Sequence, residues 1–162
     1  MRRALERAEM TFAARIAEDG GIVPWRRLTE VRFLAARETF ARRDRLSRTD
    51  TAALVLALTD EPTRDRCWVQ VEANRDPAWI GFWLYLARRS LPPYRAEPLF
   101  LLAWTAFRLR DAELARAAVD DTLIEEPRHT AASMLQQLVQ SDTDPSLLPS
   151  LSDRYASRQS GP

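Results

Sequence analysis

The chain contains no lysine, one cysteine, one histidine and four glycines in 162 residues, and each scarcity removes a class of protein. A single thiol, Cys67, permits no internal disulfide, and Cys67 and His129 stand 62 positions apart, outside any zinc-ligand or Cys–His catalytic spacing. Four glycines exclude a collagen-like chain, a Gly-rich linker and a phosphate-cradling loop. The acids follow no EF-hand pattern. No metal and no cofactor is therefore expected. The longest apolar stretches, 79–87 and 98–107, fall short of the roughly 20 residues that span a bilayer, so no membrane partner is expected either. Glu6, Arg7, Glu9 and Arg15 interrupt any secretory apolar segment after Met1, and the expected location is cytoplasmic, in keeping with a lone reduced thiol.

What the chain does hold is 46% hydrophobic and 29% charged residues, a composition that suits one folded domain. The expected organisation is a single helical domain over 1–156, with a basic front over 1–48, a helical-hairpin region over 50–141 and a disordered tail over 157–162. All 24 basic side chains are arginine, and with 23 acids the net charge is only +1, too small an excess for a dedicated nucleic-acid binder. The charge is unevenly placed. Residues 1–48 hold twelve arginines against seven acids, whereas residues 111–162 hold four against nine. Such a front and back can attract each other within the fold or between copies.

Apolar periodicity is helical almost throughout, which predicts an all-α protein of seven to nine helices. Leu5, Ala8, Phe12, Ala13 and Ile16 stripe a first helix over 2–18 that Gly20-Gly21 stops. Pro24 opens a second, running to about Arg43, with Leu28, Val31, Leu34, Ala35 and Phe40 expected inward and Arg26, Arg27, Arg37, Arg42 and Arg43 in solvent. Asp50 or Thr51 is expected to cap a short helix over 51–58, and Pro62 suits the first turn of the next. Pro93 and Pro127 then repeat at a spacing of 34 residues, which predicts helical hairpins over 62–95 and 96–129. In the second unit Ala103 and Ala115 occupy close-approach positions, with Arg110-Asp111 at the turn. In the first unit the corresponding residues are Trp68, Val69, Gly81, Tyr85 and Pro93, with Val69 and Gly81 at the close-approach positions and Asp76-Pro77 at the turn. The hairpins read as tetratricopeptide-like, stacked in a right-handed helical array, or as generic helical pairs. A helix after His129, through Ala132, Leu135, Leu138 and Val139, is expected to cap the stack, followed by a short turn through Leu147, Leu148 and Leu151.

The stretch Arg88-Arg89-Ser90-Leu91-Pro92-Pro93-Tyr94, its continuation from Ala96 to Trp104 and the Ala-Arg-Ala-Ala-Val119 helix carry a family pattern, as do Ala52–Leu58, Arg64-Asp65 and Glu126-Pro127. Over roughly 50–138 the chain resembles the actinobacterial domain-of-unknown-function family 4192. The resemblance implies the C-terminal part of such a protein and a structural Arg64-Asp65 pair, and it supplies no activity. In that reading Asp65 lies in the first turn of its helix and Arg64 reaches an acid of the next unit.

The remaining candidates are few. His129 reads as a surface turn residue and Cys67 as a small core residue. Nine aromatic residues between Trp68 and Phe107 read mainly as core, but Trp79 and Phe82/Trp83 lie on different sides of one helix, so either that helix is buried all round or part of the cluster is exposed. Trp79 and Trp83, with Arg88, Arg89 and Arg95 nearby, are the candidates for partner binding. Arg64, Asp65, Gly81, Pro93, Ala103, Ala115 and Pro127 are expected to be structural. The expected function is a non-enzymatic helical module that binds a protein partner or a second copy, and the alternative is a nucleic-acid-associated protein using the Arg-rich front.

Overall fold

The computed structural model describes residues 1–74 and 76–148, so Leu151 and the tail expected over 157–162 lie outside the described residues. Among the described residues there are eight α-helices, no strand and one 3-10 turn: α1 (Arg2–Glu18), α2 (Ile22–Ala41), α3 (Arg48–Ala57), α4 (Glu61–Asn74), α5 (Ala78–Arg89), α6 (Ala96–Arg108), α7 (Ala112–Glu125), α8 (Thr130–Gln140) and the turn Pro145–Leu147. Among the described residues no helix is long and apolar enough to cross a membrane.

Local chemistry sets the boundaries. Gly20 adopts a φ of 87° after α1, and Gly21 N–H donates to the Ile16 carbonyl at 2.8 Å, a Schellman closure. Three other helices close in the same way without glycine. Arg43, Arg110 and Asp142 take φ values of 62°, 64° and 51°, and the N–H groups of Asp44, Asp111 and Thr143 reach back to Thr39, Ala106 and Leu138. A side chain in this left-handed region costs roughly 1 kcal/mol. At the helix starts, Ser47 rather than Asp50 or Thr51 caps α3: its hydroxyl oxygen accepts from Asp50 N–H at 3.0 Å and the hydroxyl donates to the Asp50 carboxylate at 2.6 Å. Asp60 caps α4, accepting from the Thr63 N–H and hydroxyl at 3.1 and 2.8 Å. Asp65 consequently lies beyond the first turn, one step later than expected, because α4 begins at Glu61.

The axis of the fold is α6, in which every residue except Glu97 is buried. Its neighbours are α5, α7, α4 and α8. The expected hairpin over 96–129 is the α6–α7 pair, the most extensive helix contact, and Ala103 and Ala115 on its two arms are both fully buried. Small side chains there let two helix backbones approach closely. The unit over 62–95 is built differently: α4 packs on α2 and α6, while α5 packs on α6, α2 and α3. Sequential stacking thus runs from α5 to α8. Gly81 serves a contact with α2, since a Cβ there would stand 3.4 Å from the Phe40 ring. Pro93 and Pro127 are exposed in the connections that follow α5 and α7.

The inward face of α2 differs in part from the one expected: Leu34 and Phe40 do pack against the core. Trp25, Thr29, Phe33 and Ala36 are buried, whereas Leu28, Val31 and Ala35 are exposed. Trp25 meets Phe12 at 5.1 Å, Phe33 meets Trp83 at 6.2 Å and Phe40 meets Phe82 at 5.9 Å between ring centroids. Aromatic rings bury about 150–250 Å² each, more than Leu28, Val31 and Ala35 can offer, so the rotation that covers them wins. Arg26 and Arg37, expected in solvent, are half-buried on the same helix.

Candidate functional site

The aromatic cluster resolves into core. Trp79, Phe82, Trp83 and Leu86 follow at three- and four-residue steps, so they share one buried face of α5 rather than lying on different sides, and Ile80, Gly81, Leu84 and Tyr85 opposite are half-buried. Trp79 stacks on Trp83 at 5.1 Å, and Trp68 of α4 meets Phe100 and Trp104 of α6 edge-on at 4.9 Å each. Trp79 and Trp83, expected as partner contacts, therefore present no free surface. Arg88 and Arg89 are exposed at the end of α5, with the Arg89 guanidinium 3.8 Å over the Tyr85 ring, and Arg95 is held by Glu125 at 3.2 Å. These three do not converge with the tryptophans on one surface. Cys67 is buried, and burial together with the nearby Glu30 charge pushes its thiol pKa far up, which keeps it protonated and inert.

A polar clasp joins α4, α6 and α8. Arg64 reaches Glu97, at the start of α6, at 3.3 Å and Asp65 at 2.9 Å, so the bridge to the next unit expected of Arg64 is present. Burial opposes the Arg64 charge, but Glu97 and Asp65 outweigh it and raise its pKa. His129 is buried, not a surface turn residue. Its Nδ1 caps α8 by accepting from Ala132 N–H at 3.1 Å, its ring lies 4.9 Å from that of Phe100, and its Nε2 stands 3.4 Å from Glu97. With Glu126, these groups bring three ligand-type atoms within 4.8 Å of one another. The contacts shown among them are the α8 cap and the approach of His129 to Glu97. Because Nδ1 is engaged as an acceptor, a neutral ring carries its proton on Nε2 and offers no lone pair there, and the Arg64 guanidinium already supplies the positive charge beside Glu97.

A second buried pair, Arg108 and Glu72, lies 3.5 Å apart, and Arg108 also donates to the Pro145 carbonyl at 2.6 Å. Sequence reasoning missed it because 36 positions separate the two residues and nothing in their spacing signals contact.

The basic front is partly neutralised from within. Arg26 grips Asp60 with two bonds of 2.8 and 2.9 Å, Arg32 grips Asp19 at 2.9 Å, Arg37 pairs with Asp76, and Glu30 receives Arg66 at 3.3 Å. Burial opposes the Asp60 charge, but the hydrogen bonds from Arg26 and Thr63 outweigh it and hold its carboxyl below the usual range. The front also leaves apolar side chains uncovered. Met10, Ile22, Val23, Leu28 and Val31 are exposed, and Val31 is 61% accessible. On α2, Val23, Arg27 and Val31 follow at four-residue steps, with Leu28 alongside, which places an arginine between apolar side chains on one outer stripe. On the other flank of α2, a groove of about 510 Å³ runs between α1, α2 and α3, with Phe12, Trp25, Ala36 and Leu54 among its walls and the Arg32–Asp19 pair at its border. The only sequence signal for this surface was the Leu28/Val31/Ala35 stripe itself, which reads equally well as core.

A family model described as Domain of unknown function (DUF4192) matches residues 1–146, a span that takes in the front as well as the 50–138 region on which the sequence resemblance rests. No curated protein and no solved structure matches the chain.

Proposed function

The chain belongs to that family, whose description carries no activity, and from this premise we propose that the protein is a non-enzymatic helical interaction module whose docking surface is the outer face of α1 and α2. The supporting observation is that α2 is apolar on two faces, one buried against α4 and α5 and the other left in solvent through Val23, Leu28 and Val31. An exposed apolar patch rimmed by charge is the usual mark of a protein contact. Arg27 supplies a charge and hydrogen-bond donors at the centre of the stripe. The module acts in the cytoplasm, where Cys67 stays reduced.

Photo-crosslinking in the native host tests this reading. A photoreactive residue at position 31 should trap a protein partner, whereas one at position 88, on the far end of α5, should trap none. Equal capture from both positions, or capture from position 88 alone, would move the docking surface elsewhere. The nucleic-acid alternative draws on the same arginines, but Arg26, Arg32 and Arg37 are already paired with acids, which leaves a mixed surface. DNA retention that resists about 150 mM salt would revive it.

A further inference from the structure

The occupant of the α2 face can be read from charge. Once the ion pairs inside the fold are set aside, residues 1–48 keep nine arginines against five acids, and residues 111–148 keep six acids against two arginines. Internal pairing therefore leaves the opposition of front and back standing. The acidic end also carries exposed apolar side chains, Ile124 on α7 and Met134 on α8. On α7, Asp120 and Asp121 precede Ile124 by four and three positions, so carboxylates and an apolar side chain share one outer stripe. That stripe is the counterpart of Val23, Arg27 and Val31: each carries charge next to exposed apolar surface, with opposite sign.

Resting on the reading that the α2 face docks a protein, we propose that its occupant is a second copy of this chain, joined head to tail, with the α2 stripe of one copy seated on the acidic α7–α8 face of the next. Arg27 faces Asp121 or Asp120, and Leu28 and Val31 cover Ile124. Two different patches meet, so the contact is heterologous and can extend beyond two copies. The two patches also differ in sign, which disfavours front-to-front and back-to-back pairing, where like charges would oppose each other.

Sedimentation velocity on the full chain tests this at low and at high salt. The wild type should associate as concentration rises, and added salt should weaken the association by roughly tenfold. Two variants isolate the faces: Leu28→Asp/Val31→Asp removes the front, and Asp121→Arg/Ile124→Asp removes the back. Each alone should remain monomeric with a wild-type circular dichroism spectrum. Their mixture should form a dimer and go no further, since one intact front and one intact back remain. A variant that does not fold is replaced by Arg27→Glu or Asp121→Arg alone, which should show the same pattern at reduced strength. A wild type that stays monomeric at low salt up to about 1 mM overturns the proposal, as does a back variant that associates by itself or a mixture that yields no dimer. If the wild type is monomeric while position 31 still traps a different protein, the α2 docking surface stands and only the second copy falls.

Discussion

Helices α2 and α6 hold comparable sets of apolar and aromatic residues, yet twelve of the thirteen residues of α6 are buried against four of the twenty in α2. The difference lies in neighbours. Helix α6 is packed extensively by α5 and α7 and also meets α4 and α8, with charge pairs at both ends, whereas α2 meets α1, α3, α4 and α5 less extensively and keeps its Val23–Leu28–Val31 stripe in solvent. A helix enclosed on every side is committed to stability. One that keeps a second apolar face in water, at a cost in solubility, is available for a contact made after folding.

Removing Glu72 should produce the largest loss, because Arg108 would keep its buried charge without that carboxylate. Glu72→Ala is expected to lower stability by about 3–5 kcal/mol in denaturant titration, and a loss under about 1 kcal/mol would show that water reaches the pair. Ala103→Leu should overpack α6 in its fully buried setting and cost roughly 1–3 kcal/mol, read as a lower Tm. His129→Ala removes the cap of α8 and should cost about 1–2 kcal/mol, while His129→Asn retains a capping oxygen and should recover much of that loss. Equal losses for the two variants would assign the effect to the Phe100 contact instead.

The closures of α2 and α6 sharpen the comparison on a smaller scale. Arg43→Gly relieves a left-handed arginine and should stabilise by roughly 1 kcal/mol. Arg110→Gly gains less, because it also gives up the exposed ion pair to Asp144 at 2.8 Å. Thermal melts of the two variants side by side should rank them in that order.

Much of the architecture was legible because it is local. Helical periodicity, the Gly20-Gly21 stop, the 34-residue repeat of Pro93 and Pro127 and the small residues Ala103 and Ala115 each bear on their own segment, and the 96–129 hairpin follows from them. What was not legible depends on distant partners. The Leu28/Val31/Ala35 stripe of α2 reads as core, and only Phe12 of α1 and Trp83 of α5, brought against Trp25 and Phe33, decide that those two rings turn inward instead. His129 follows Pro127 and Arg128 and reads as loop, until Glu97 and Phe100 are brought against it from 32 and 29 positions away. Three of the left-handed helix closures were hidden because arginine and aspartate stand where glycine would have signalled them. Trp79 and Trp83 look like an aromatic hot spot in the sequence, and tertiary cover turns them into core.

The central claim is that the outer face of α2 serves contact and not folding, and thermal melting of Leu28→Asp/Val31→Asp tests it most directly. The account predicts stability within about 0.5 kcal/mol of the wild type, since both side chains are already exposed, together with loss of association in the same sample. A loss of several kcal/mol on melting would show that this face belongs to the core and would contradict the account.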